Sequence, residues 1–358
     1  MNNTYPELNE FLNSFCIYYD YPLYMDHISE YLSLSVLASR MLSIDISKGI
    51  IAGKIPKAEL SLSLDESLDL CNQFIKKYLD SYYDKWQSYL CNGVVDFLDE
   101  EQNMIDGKDS QGSWSLTSKK DNQLFREINI ELKHDYSDPA VIIHEFLHQL
   151  NISDTQDGNE IVSRSLFTEA VSIYFETLMY HFMEEQGYSK QEIAKVQFRR
   201  IQDYAKLVAQ SIDGLMILRD YLFFGKISDT TFEESSKNNL LRFDTKQTYQ
   251  KIASDFNNKI AAKKEKTNIG INCEFDIFKP FRYVIGTSLA YWAIEQEDSN
   301  MPWKMLMFNE DLANDRDLDY AFSRFPLNIG NLYSLISGVE KEMIRCSKNL
   351  NYNNEKKM

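Results

Sequence analysis

Apolar residues recur at helical spacing from the start of the chain, for instance through Tyr31-Leu-Ser-Leu-Ser-Val-Leu-Ala-Ser-Arg-Met-Leu42, and residues 1 to about 110 read as helices. A capping box, Ser63-Leu-Asp-Glu66, opens a long amphipathic run to about Leu98. Tyr78, Tyr82, Tyr83, Trp86 and Tyr89 line that run, an aromatic stripe expected in the core or at a contact between lobes. The period then changes. Residues 112–117 and 124–132 alternate apolar with polar positions around Lys119-Lys-Asp-Asn122, which predicts a strand pair joined by a loop. Asp138-Pro139 supplies an N-cap and a proline at the first helical position, so a helix is expected from Pro139 to Leu150. A polar loop follows at 151–160, then an apolar helix from about Ile161 to Glu185. Ser189-Lys-Gln-Glu192 begins another helix, running to about Phe224. Residues 229–266 are strongly polar and helical in pattern, helical spacing returns from about Asp317 to Leu350, and 351–358 is expected to fray. The pattern is that of a mostly α chain of the α+β class.

Within the helix expected at 139–150, Val141, Ile142, Ile143, Phe146, Leu147 and Leu150 surround His144, Glu145 and His148. This is His-Glu-x-x-His, and on a helix the two histidines stand one above the other on one face, where both imidazoles reach one metal ion. Glu145 sits beside them, within reach of a water at that ion. Burial among apolar neighbours makes three unpartnered polar side chains costly, and a cation removes that cost. A catalytic zinc site needs a third protein ligand and one open position. Candidates are Glu169, Asp154, Asp157, Glu160 and Glu176. Glu169, Ser172 and Glu176 fall on one stripe of the next helix, at offsets of three and seven residues, and Glu176 is placed to hold a ligand imidazole N–H. Asp154 is the rival, because it occupies the third-ligand position of sites that turn sharply after the second histidine, and Asn151 is suited to such a turn.

Length and charge bound the rest. At 358 residues the chain buries a sizeable core without staples, and its five cysteines are scattered and lack C-x-x-C spacing, as reduced thiols do. A net charge of −16 argues against nucleic acid and against anionic membrane surfaces. No basic n-region, signal-length apolar run or bilayer-length stretch is present, so a cytoplasmic protein is expected, export without a cleavable signal being compatible with the same sequence.

Three blocks, taken in order, resemble the oligoendopeptidase F and thimet oligopeptidase family of zinc metallopeptidases. Gly112-Ser-Trp-Ser resembles that family's strand, Asp138-Pro-Ala-Val-Ile-Ile-His-Glu-Phe-Leu-His148 its zinc helix, and Glu169-Ala-Val-Ser-Ile-Tyr-Phe-Glu176 its Glu-x-x-Ser-x-x-x-Glu helix. Tyr283-Val-Ile-Gly286 is similar to its Tyr-x-x-Gly segment. The resemblance implies a zincin-like core with a small sheet beside the metal helix, surrounded by long helices, divided here into a helical lobe at 1–110 and a catalytic lobe at 111–350. It further implies one zinc held by His144, His148 and Glu169, Glu145 as general base and then acid, and Tyr283 as donor to the oxyanion, with Tyr291 as second choice. Glu176 would orient a ligand imidazole, and the partner is a peptide or protein substrate. The chain departs from the family at Leu147, where glycine is usual, in having no histidine from Ile271 to Arg282, and in its short N-terminal region. These departures keep two other functions open: a catalytically inactive interaction protein on the same fold, and a protease acting on one folded protein, such as an exported effector.

Overall fold

The computed structural model describes residues 58–99, 113–120, 123–150, 168–201, 203–204, 254, 281–313, 323–325 and 336–355. The expected features at 1–57, 151–167, 229–253, 255–266, 317–322 and 326–335, and the 205–224 part of the helix that begins near Ser189, lie outside the described residues.

Helix α1, Leu64–Tyr78, starts where the capping box places it: Ser63 N–H donates to Glu66 Oε2 at 2.8 Å, and Glu66 N–H donates to Ser63 Oγ at 3.3 Å. Asp65 and Glu66 in its first turn and Lys76 and Lys77 in its last complement the helix dipole. Its inner face buries Leu70, Cys71, Phe74 and Ile75. The helix does not continue to Leu98 as the amphipathic pattern suggested. It ends at Leu79, a 3-10 turn covers Asp80–Tyr82, and α2 runs only over Tyr83–Cys91. Asn92-Gly93 terminates α2, with Gly93 in the left-handed region at φ 64, and the chain then enters strand β1, Val95–Asp99. The aromatic stripe is core, as expected: Trp86 and Tyr89 are buried against Phe146, and Tyr78, Tyr82 and Tyr83 pack on its border.

Strands β2, Trp114–Lys120, and β3, Gln123–Leu132, form the expected antiparallel pair, with Trp114 opposite Asn129 and Lys120 opposite Gln123. On its other side β3 pairs in parallel with β1, Val95 opposite Ile128, so among the described residues the sheet order is β1-β3-β2, with β1 and β2 at its edges. Ile128, Ile130 and Leu132, alternate residues of β3, are buried.

Helix α3, Asp138–Leu150, packs against β2, β3 and α1. Its start differs in detail from expectation. Ser137 holds the cap position, its carbonyl accepting from Val141 N–H, while the buried Asp138 carboxylate faces backwards and accepts from Lys133 N–H at 3.0 Å and His134 N–H at 2.9 Å. His134 is left-handed at φ 52, and its carbonyl accepts from Leu62 N–H, so the turn between β3 and α3 is tied on both sides.

Helix α4, Thr168–Glu185, lies across α3, and residues 190–201 and 203–204 form helix α5. Only half of the second capping box forms. Ser189 Oγ accepts from Glu192 N–H at 3.4 Å, but the Glu192 carboxylate turns to Glu59 N–H and Lys195. Helix α6, Phe281–Glu295, is apolar on nearly all sides and runs between α4 and helix α8, Ile336–Glu355, which continues into the stretch expected to fray. Helix α7, Met301–Ala313, packs on α4. Behind α4 a buried polar cluster joins three helices. Glu342 of α8 accepts from Gln197 Nε2 of α5 at 2.6 Å and from Arg345, which also pairs with Glu184 of α4 at 2.8 Å. The result is a mostly helical α+β molecule with a small sheet beside α3. Among the described residues no helix is long and apolar enough to cross a membrane.

Candidate metal centre

Two consecutive helices bring the candidate ligands together. His144 and His148 are one turn apart on α3, and their Nε2 atoms are 3.1 Å from each other. Glu169, in the first turn of α4, aims Oε2 between them, 3.5 Å from His144 Nε2 and 3.7 Å from His148 Nε2. Three ligands of a tetrahedral ion, each about 2.0–2.1 Å from it, stand roughly 3.3–3.4 Å apart, so this triangle has the size that one small divalent cation requires. Among the described residues these three form a group able to hold a metal ion. His144 and Glu169 are buried, whereas the His148 side chain is 19% exposed, which makes its edge the open side of the site.

The remaining imidazole nitrogens are engaged from behind. His144 Nδ1 lies 2.8 Å from Glu176 Oε2, and His148 Nδ1 lies 3.3 Å from Ser172 Oγ. With Nδ1 nearest these partners, both Nε2 atoms face Glu169 Oε2, where one ion would sit. Glu169, Ser172 and Glu176 thus act as one stripe of α4, as their spacing predicts. Burial works against a charged His144, but the Glu169 and Glu176 carboxylates outweigh it and raise its pKa to about 9. Burial likewise raises Glu176, yet Arg200 and His144 prevail and hold it down to about 2.

Glu145 is 6% exposed beside His144 on α3. Tyr283 opens α6, half-buried, with its ring stacked on Tyr204 at 5.8 Å and 28°. One turn along the same face, Gly286 lies so near α4 that a Cβ there would be 2.8 Å from Glu169 Cβ. Tyr291, two turns further along α6, is buried, and desolvation and the charges of Glu176 and Glu342 push its hydroxyl well above the ordinary tyrosine range. Asp154, Asp157 and Glu160 lie outside the described residues. In the Gly112-Ser-Trp-Ser block, Ser113 Oγ accepts from Glu131 N–H at 3.0 Å, which anchors the start of β2 to the end of β3.

Two residues absent from the sequence reading complete the site. Arg200 of α5 donates from Nε to Glu176 Oε1 at 2.9 Å and from an amino nitrogen to Oε2 at 3.3 Å. Tyr204, one turn later, donates its hydroxyl to Glu176 Oε2 at 2.5 Å. Their four-residue spacing, which sets them on one face of a helix, was the available signal, but nothing in it names the partner.

No protein-family model matches the chain. None of the curated proteins compared with it matches either. Among solved structures the fold is similar to that of a crystal structure named "putative peptidase from Chlamydophila abortus", with a TM-score of 0.52 and 14% identity over 90% of this chain. The match covers 55% of that protein, so this chain spans about half its length. At this identity the likeness is one of fold, and the fold that this chain shares is that of a protein bearing a peptidase's name.

Proposed function

We propose that this chain is a metal-dependent peptidase that uses zinc. The convergence of His144 Nε2, His148 Nε2 and Glu169 Oε2 on one point carries the reading. Two imidazoles and one carboxylate with a fourth position open is the donor set of catalytic zinc sites. The fold shared with a protein named as a peptidase supports it. Zinc, when bound, supplies a Lewis acid that acidifies water and polarises a peptide carbonyl. Glu145 then accepts the proton of the attacking water at its carboxylate and passes it to the leaving amine nitrogen, base first and acid afterwards. Tyr283, at the start of α6, donates its O–H to the oxygen on which negative charge develops. Glu176 and Ser172 hold the ligand imidazoles by their Nδ1 atoms. A peptide in extended form pairs its backbone with the edge strand β2 beside α3, and the net charge of −16 favours cationic peptides.

Zinc content and cleavage of a peptide library by the wild type and by Glu145→Gln test the proposal. The expected result is about one zinc in both proteins, with hydrolysis slowed by about 10²–10⁴-fold in the variant. A wild type that holds no metal, or a variant that cleaves as fast, rules out this site. Zinc bound without turnover on any peptide would favour the inactive interaction protein instead.

A further inference from the structure

Glu176 is not one of the three residues able to hold the ion, yet both of its carboxylate oxygens are engaged. Oε1 accepts from Arg200 Nε at 2.9 Å. Oε2 is shared by the Arg200 amino group at 3.3 Å, the Tyr204 hydroxyl at 2.5 Å and His144 Nδ1 at 2.8 Å. A lone carboxylate rotates freely about its last bond, because that torsion is broad and two-fold. Here the planar guanidinium grips both oxygens and removes that freedom. The Arg200 guanidinium also lies over the Tyr204 ring, 4.8 Å from its centroid, and the Tyr283 ring stacks on Tyr204 as well.

We infer that Arg200 and Tyr204 are positioning residues: from α5 they set the Glu176 carboxylate, and through it the plane of the His144 ring, so that metal affinity is governed by side chains that never meet the ion. The same pair props Tyr283 through the stacked rings. Helix α5 therefore orients both a metal ligand and the proposed oxyanion donor. The inference rests on the metal reading above.

Arg200→Lys keeps the charge but cannot span both oxygens, and Tyr204→Phe removes one hydroxyl while keeping the stack. Zinc affinity is measured by competition with a chromogenic chelator, and the visible spectrum of the cobalt-substituted protein reports the ligand geometry. Far-UV circular dichroism establishes that each metal-free variant is folded. Loss of an outer partner of a ligand histidine weakens metal binding by about 10–100-fold. The expected result is a loss of that order in Arg200→Lys, a loss of about tenfold in Tyr204→Phe, and an altered cobalt spectrum in both. A merely structural role would lower the unfolding midpoint and leave affinity and spectrum unchanged. If Arg200→Lys does not fold, Tyr204→Phe decides alone. Folded variants that bind zinc within about twofold of the wild type overturn the inference and leave the metal site standing. A wild type that binds none overturns the metal site and this inference together.

Discussion

Helix α6 approaches α4 at Gly286, and Gly286→Ala tests whether that approach positions a metal ligand. The added methyl would lie 2.8 Å from Glu169 Cβ and 3.2 Å from Glu169 C and Ala170 N. Carbon atoms rest about 3.5–4.0 Å apart, so α6 and the first turn of α4 must separate by roughly 0.7 Å. Overpacking of this kind costs about 1–3 kcal/mol, and the better helix propensity of alanine returns up to about 1 kcal/mol, for a net loss of about 0–2 kcal/mol. The larger consequence is at the candidate metal centre. Glu169 Oε2 completes its triangle at 3.5 and 3.7 Å, and ligand distances tolerate only about 0.2 Å, so affinity should fall by about tenfold or more. Gly338 is the control. A Cβ there would be 2.6 Å from Trp292 Cα and Tyr291 C, a clash with backbone on the α8 side of α6, away from Glu169. Gly338→Ala should cost at least as much stability and spare the metal. Urea unfolding of the metal-free chains, followed by tryptophan fluorescence, gives the first quantity, and chelator competition the second. Wild-type zinc affinity in Gly286→Ala, or equal losses in both variants, would refute the reasoning.

Two further tests address the scaffold. Burial raises Glu342, but His181 and Arg345 outweigh it and hold it at about 2, below its ordinary 4.5. The folded chain therefore binds fewer protons there than the unfolded one. The stabilisation is complete above pH 4.5 and is lost as pH falls through about 2. Glu342→Gln should flatten the acid limb of stability against pH in that window, and an unchanged slope would contradict the assignment. Phe146, fully buried between Trp86 at 5.1 Å and Tyr89 at 6.0 Å, ties the metal helix to α2. Phe146→Ala should cost about 3–5 kcal/mol in urea unfolding, and a loss below about 1 kcal/mol would mean that the site collapses around the gap.

The parts of this molecule that sequence spacing exposed are those whose determinants are local. The two imidazoles of α3 and the stripe Glu169, Ser172 and Glu176 follow from helical periodicity alone, and the β2–β3 pair follows from alternation. What escaped has its cause at a distance or in competition between local signals. The run from Ser63 toward Leu98 keeps an apolar periodicity, which masked the break at Leu79 and the Asn92-Gly93 stop that releases Val95 into a strand. Asp138 stands where an N-cap belongs, yet its carboxylate is drawn back by two amides of the preceding turn, and Ser137 takes the cap. Helix α7 had a signal in Asp298, whose carboxylate accepts from Asn300 N–H and pairs with Lys304, ahead of Pro302. Arg200 and Tyr204 act on a carboxylate 24 and 28 residues away, and no one-dimensional pattern specifies which acid a basic side chain will meet.

The turn between β3 and α3 carries a mechanical consequence. Asp138 clasps the amides of Lys133 and His134, and Leu62 fastens the His134 carbonyl from the far side. A hinge needs backbone torsions that swing at little cost, and here swinging would strip hydrogen bonds from a buried carboxylate. The angle between the central strand and the imidazole-bearing helix is therefore set in the folded chain before any ligand arrives. Any closing motion that a ligand demands must be absorbed by other connections, while the pitch of α3 against β3 is kept.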